Sequence, residues 1–406
     1  MKYKYLYTSI LLFVTALVLS WAIPALVKVG TTTAQDYPFV YYSSLLQDFA
    51  VREKNDGKPI FRDLKGNTYT KNQYDSITPL LSFRQLLLTG GMPDTILGVH
   101  MDARLLKEKS VHWRYSPREI NKPVIGLYSM FESMSGRANL ESPEDVFCLK
   151  DNIEFITIRG NMVNAEKSQR FQQALEENGF TFPARKVWGN LSPKKPYDEG
   201  YFVLDNKDEL FHLKMVNGKP YARNTKAGEN IDIAYFSILE VADKSIYGFI
   251  VSADGGIYTL NTEGYSLTKF DIPNIDINSH SVMLMANVFY WMVYVTTPEG
   301  CTYNVLEAGS LKQHSEPYFV AAKENKWDTV SAWAFPSYVS LSDKNTEYIC
   351  PDYIINFGKA FIISLALALI FAFTVDRKKK PAKRIIDAIV IIIFGIPGLI
   401  ASLIIK

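Results

Sequence analysis

The sequence predicts a membrane-anchored, mainly β protein: propeller-like repeats of about 45 residues with a few helical insertions, plus three transmembrane helices. Three observations predict it. Long apolar windows stand at the two ends of the chain, polar turns recur at near-constant spacing through its middle, and basic residues are distributed unevenly around the windows.

The first window, Leu6 to Val27, runs 22 residues without a charge. The second, Tyr353 to Val375, carries only Lys359, and the third, Ile385 to Ile405, carries only Asp387. A hydrocarbon core of about 30 Å is crossed by roughly 20 apolar residues in a helix, so each window is long enough. Lys2 and Lys4 would suit a cleavable signal peptide. The apolar stretch nevertheless exceeds the usual length of about 7–15 residues, and no small-x-small site follows Val27, so an uncleaved signal anchor is expected over 1–30.

Orientation follows from the basic residues. Between the second and third windows lie Arg377, Lys378, Lys379, Lys380, Lys383 and Arg384, against one acid, Asp376. This loop, 376–384, and the N-terminus are expected in the cytoplasm, residues 31–352 outside in the periplasm, and Lys406 outside as well. Residues outside 31–352 include 11 basic and 2 acidic side chains, which leaves 33 basic and 40 acidic within it, a net charge of −7. Such an acidic domain is a poor nucleic-acid binder. The expected organisation is an anchor over 1–30, an irregular outer part over 31–145 and a repeated β part over 146–352. Helices over 353–375 and 385–406 follow, on either side of the basic loop.

The repeats are found by aligning turns. Phe202–Leu213, Gly248–Leu260, Met292–Tyr303 and Tyr338–Tyr348 are apolar β-type runs broken by polar turns. Taking Lys207, Asp254, Glu299 and Lys344 as turn centres gives spacings of 47, 45 and 45. Second turns follow at Asn217-Gly218, Glu263-Gly264 and Ala308-Gly309. Two hairpin turns per period is the spacing of a four-stranded propeller blade, and the alternative is a β-sandwich or meander. Upstream, Ile60–Thr70 and Val146–Thr157 read as further hairpins. Leu81 to Leu88, Asp102 to Lys109 and Ala165 to Asn178 read as helices, the last stopped by Gly179. The span Arg185 to Asp198, with Pro193 and Pro196, reads as a separating loop.

No catalytic constellation is legible. His100, His112, His212, His280 and His314 share no ligand spacing, and no GxSxG, GxGxxG, P-loop, HExxH or EF-hand pattern occurs. Cys148, Cys301 and Cys350 form no CxxC, so no zinc, haem or redox motif is expected; a Cys301–Cys350 disulfide is one option and buried apolar thiols the other. Asp254-Gly255-Gly256 and Asp205 to Glu209 resemble calcium loops only in being acidic and tight, and hairpin turns require the same residues. Glu132 to Arg137, with Glu141 and Glu144, reads as a solvated polar loop. No cofactor is expected.

The membrane windows carry the nearest approach to a site. Ala360, Ser364, Ala368 and Ala372 recur every fourth residue and share one face of the second helix, where small side chains let another helix approach closely. Gly395, Gly398 and Ser402 share a face of the third, with a kink expected at Pro397. The two helices are expected to pack on each other; the alternative is that one small face docks onto a separate membrane protein.

The stretches Asp63-Leu-Lys-Gly-Asn-Thr-Tyr69, Glu132 to Glu141, and Ala165 to Asn178 followed by Phe180-Thr-Phe-Pro-Ala184 resemble a family of uncharacterised, membrane-anchored envelope proteins of Bacteroidota. The resemblance implies a neighbourhood of ABC-transporter genes and assigns no functional residue. Two functions are consistent with these readings. The first is a non-enzymatic accessory subunit whose outer domain binds a partner or ligand while its helices join an ABC-type membrane complex. The alternative is a membrane-tethered hydrolase or lyase with its site on the propeller axis.

Overall fold

The computed structural model describes residues 2–134, 140–342, 346, 348–375 and 381–405. The chain divides into two compact units, Tyr37–Ala321 and Met1–Asp36 together with Ala322–Lys406.

The Tyr37–Ala321 unit is a series of antiparallel sheets. The first is β1 (Phe39–Ser43), β2 (Asp48–Asn55), β3 (Lys58–Asp63) and β4 (Thr68–Tyr69), in chain order. After it come α2 (Lys71–Ile77) and α3 (Phe83–Thr89), α1 being the N-terminal helix of the other unit, Lys2–Thr31. The β5 (Thr95–Ile96) and β6 (Val99–His100) pair leads to α4 (Ala103–Lys109), β7 (His112–Tyr115) and α5 (Arg118–Asn121). A hairpin of β8 (Asp145–Leu149) and β9 (Ile153–Thr157) precedes α6 (Ala165–Glu177). Caps mark these helices: Thr70 and Gln73 form a capping box on α2, Asp102 accepts from the Arg104 and Leu105 amides, and Asn164 accepts from that of Lys167.

Two four-stranded meanders follow in chain order. One is β10 (Lys186–Gly189), β11 (Tyr201–Leu204), β12 (Leu210–Val216) and β13 (Lys219–Asn224). The other is β14 (Ile233–Ile238), β15 (Ile246–Ser252), β16 (Ile257–Asn261) and β17 (Leu267–Lys269). The last sheet is β18 (Ser281–Ala286), β19 (Tyr290–Thr296), β20 (Gly300–Glu307) and β21 (Tyr318–Ala321), with β7 added beside β18. Lys207, Asp254 and Glu299 fall at the turns between the second and third strands of these sheets, and the three second turns fall between the third and fourth. Asn217 and Gly218 both have positive φ, as the tight type I′ hairpin requires.

Strand alternation sorts side chains between two cores. Tyr201, Val203, Phe211 and Leu213 face the β8–β9 hairpin and Phe171 and Leu175 of α6. Their neighbours Phe202, Leu204 and Leu210 face Phe236, Ile250 and Leu260 of the following sheet. Phe249 and Val251 then meet Leu284, Val293 and Trp113 of the sheet after that, and Met292 and Tyr294 meet Val40 and Val51 of the first. Each interior sheet is therefore buried on both faces. That explains apolar runs such as Tyr201–Leu204 with no polar alternation.

Two expectations change with the structure. The β residues form several separate antiparallel sheets, and no closed propeller is found among the described residues. β7 pairs with β18 in register from Tyr115↔Val282 to His112↔Met285, so a strand from the irregular part joins the last sheet of the repeats. The run at 338–348 is not a fourth repeat; it belongs to the other unit, and its turn centre Lys344 lies outside the described residues.

The other unit holds α1, α7 (Lys326–Ala334), the hairpin β22 (Ser337–Ser342) and β23 (Cys350–Ile355), α8 (Lys359–Thr374), α9 (Pro381–Phe394) and α10 (Ile396–Ile404). Among the described residues one helix is long and apolar enough to cross a membrane, α1 over Leu6–Thr31. The second window yields only the 16 residues of α8, about 24 Å at 1.5 Å per residue, because Tyr353–Ile355 go to β23 and Gly358 adopts φ 136°. The third window breaks at Gly395 (φ 63°, ψ −127°), two residues before the expected kink. The chain then reverses: a Cβ on Gly398 would lie 2.4 Å from the Val390 carbonyl oxygen, whereas eight residues of straight helix span about 12 Å. The through-going third helix that would carry Lys406 outside is not formed, and Lys406 lies outside the described residues.

Candidate binding groove

The loop read as a spacer over 185–198 contains β10, and beside this strand lies a groove of about 350 Å³. Its walls are β10 with Asn190 and Leu191, β14, and the segment from Glu119 to Tyr128. β10 and β14 are the first strands of their sheets, and each has one hydrogen-bonded neighbour strand. A register shift at Ala234 frees its carbonyl, which accepts from Lys186 Nζ at 2.9 Å and ties the two strands together. Gly189 is required for the pairing with β11, since a Cβ there would sit 2.3 Å from Tyr201 Cδ1.

The lining is mostly apolar, with Trp188, Ile238 and Ile120 among its side chains, and Val124 and Ile125 stand exposed at the rim. Of its charges, Glu119 accepts from Lys122 Nζ at 2.6 Å and from the Tyr235 hydroxyl at 3.1 Å. Burial pushes the Lys186 ammonium below the usual lysine range, with Arg185 nearby adding to the effect.

Behind Asn190 lies a cluster of ions that sequence reasoning missed. Lys195 Nζ donates to Asp198, to Glu240 Oε1 at 2.9 Å and to the Asn190 carbonyl at 2.8 Å. The Asn190 amide and the Glu199 backbone N–H complete the Glu240 carboxylate, at 2.8 and 2.7 Å. Side-chain exposure is 2% for Lys195 and 1% for each acid, so one cation serves two acids out of water. Burial raises both carboxyl groups above their ordinary range, against the lowering effect of Lys195. The adjacent His212 is buried, its Nδ1 2.9 Å from the Tyr265 hydroxyl and its Nε2 2.6 Å from the Glu199 carbonyl oxygen. Burial holds it neutral, its pKa lowered to about 3. The only sequence signal was a Lys and an Asp in a proline-containing loop, which reads as solvated.

The sequence candidates are placed as follows. Ala360, Ser364 and Ala368 are buried and Ala372 is half-buried; Ala368 and Phe371 meet Ile391 of α9, with Leu399 of α10 beside them. The small-residue face is thus covered by helices of its own chain. Arg377, Lys378, Lys379 and Lys380 lie outside the described residues. Lys383 and Arg384 open α9, where Arg384 donates to the Ala372 carbonyl at 2.9 Å and caps the end of α8. Cys148, Cys301 and Cys350 are free thiols, and burial raises that of Cys301. Asp205 accepts from the Lys207 and Glu209 amides, and Asp254 from the Asn274 side chain, so these acids brace turns. Glu132 clasps the turn amides of Asn217 and Gly218 at 2.7 and 2.8 Å, while Ser135 to Arg137 lie outside the described residues.

A search of curated proteins finds no match. Residues 39–306 match the model of a family described as a domain of unknown function, and the chain belongs to this family, DUF4857.

Proposed function

We propose that this protein is a membrane-anchored binding protein without enzymatic activity, whose Tyr37–Ala321 unit captures an extended segment of a protein partner outside the cytoplasmic membrane. α1 is the anchor, and the setting is an accessory role in an ABC-type transport complex of the bacterial envelope, as the resemblance to Bacteroidota proteins implies. The observation that carries this reading is the pair of strands β10 and β14, each with one paired edge, beside a mostly apolar groove. An added strand gains main-chain hydrogen bonds from such an edge and specificity from pockets for alternate side chains. The buried ion cluster holds the loop after β10 in place, so the groove is formed before the partner arrives.

The test is photo-crosslinking in living cells, with benzoylphenylalanine at Ile125 on the groove rim and, as control, at Leu88 on α3. The reading expects a discrete protein adduct at Ile125, absent at Leu88 and lost when Trp188 is replaced by Glu. Equal adducts at both positions, or none at Ile125, would count against it.

A further inference from the structure

In the unit that contains α1, a crevice of about 310 Å³ lies between the C-terminal third of α1 and β22. Trp21 and Val29 form one wall, Val339 and Leu341 the other, Trp327 the floor, and Lys28 is its one charged lining residue. We propose that this crevice seats a single anionic phospholipid of the outer leaflet, its acyl chain between α1 and β22 and its phosphate on Lys28. The inference rests on the reading of α1 as a membrane anchor.

Three features of this unit favour a lipid over a protein or a free solute. The first is continuity. In β22–β23, Leu341 pairs with Pro351, Val339 with Tyr353 and Ser337 with Ile355, so these side chains share one face. Leu341, Tyr353 and Ile355 are exposed on it, and six residues further on the apolar surface of α8 begins with exposed Phe361 and Ile362. The second is depth. A two-stranded sheet has two open edges whose N–H and C=O groups cannot be left in hydrocarbon, which places the hairpin at the headgroup level with one face towards the chains. Tyr353, Trp333 and Trp21 are the residue types enriched there, and Lys359 lies 4.5 Å from the Trp333 ring centroid. The third is charge. An apolar slot with one lysine at its mouth matches an acyl chain ending in an anionic group, as basic pockets beside membrane helices do.

The experiment is native mass spectrometry of the full-length protein in mild detergent, titrated with phosphatidylglycerol or phosphatidylcholine. The parent should retain one phosphatidylglycerol several-fold more tightly than phosphatidylcholine. Lys28→Gln should bring the two lipids level. Leu341→Gln, at an exposed position that tolerates a polar side chain, should weaken both. Equal retention of the two lipids by the parent, or retention unchanged in both variants, overturns the proposal. Flotation with phosphatidylcholine vesicles tests the anchor separately: a chain that stays in the aqueous fraction refutes the anchoring, whatever the lipid titration shows.

Discussion

Gly395 stands so close to Ser364 that a Cβ on the glycine would lie 3.0 Å from the serine Oγ, and 2.6 Å from Cδ of Pro336. The Ser364 hydroxyl is turned back on its own helix, donating to the Ala360 carbonyl at 2.8 Å. This contact is where α9 stops and the chain reverses into α10, at a φ of 63° that favours glycine.

Replacing Gly395 with Val adds a branched side chain at a left-handed position and drives it into Pro336 and Ser364. Strain of about 1–3 kcal/mol is expected from the backbone alone. Heating the full-length protein in mild detergent should show an earlier loss of the monodisperse species than in the parent. A parent-like profile would mean that the reversal tolerates a side chain.

Ala368→Phe overfills the contact with Ile391 and Leu399. A loss of about 1–3 kcal/mol is expected in the packing of α8 on its neighbours, by the cost of overpacking. Membrane insertion should be unchanged, since Phe is more apolar than Ala. The same thermal assay reads the loss, and alkaline extraction of membranes reads the insertion.

Lys195→Met leaves Asp198 and Glu240 buried without their cation, a change that costs about 3–5 kcal/mol. Both carboxyl groups have folded pKa values above their unfolded ones. Their contribution to stability is therefore full below the unfolded carboxylate range, near pH 4, and is lost as pH rises through the raised values. Removing the lysine raises them further, so the deficit of Lys195→Met should grow from acid to neutral pH. Urea midpoints of parent and variant across that range check it; a deficit independent of pH would contradict it.

His212 carries the opposite sign. With its folded pKa lowered to about 3, it contributes stability that is present above the unfolded value of about 6.5 and lost as pH falls from there. Its ring resonances in NMR spectra of the full-length protein should stay those of a neutral imidazole from about pH 8 to about pH 5, where an exposed His titrates. A midpoint near 6.5 would show that the ring is solvated.

Turn chemistry made the sheets legible: an acidic or glycine-bearing turn at fixed spacing marks a meander whatever fills its core. The packing of those sheets was not legible, because β7 reaches β18 across more than 160 residues and no local pattern announces the pairing. Hydropathy located the apolar windows but not where their helices break, since Gly358 and Gly395 act through φ and not through polarity. The ion cluster was hidden for a related reason. Lys195 reads as a surface residue until the fold brings Glu240, 45 positions away, to its ammonium group.

The central claim is a binding unit held outside the membrane by an apolar anchor. Single-cysteine labelling in intact cells tests it most directly, on a chain lacking Cys148, Cys301 and Cys350. A membrane-impermeant maleimide should modify Lys219→Cys, at the exposed first residue of β13, and should reach Lys4→Cys, at the start of α1, only after the cells are opened. Modification of Lys4→Cys in intact cells, with none at Lys219→Cys, would contradict the account.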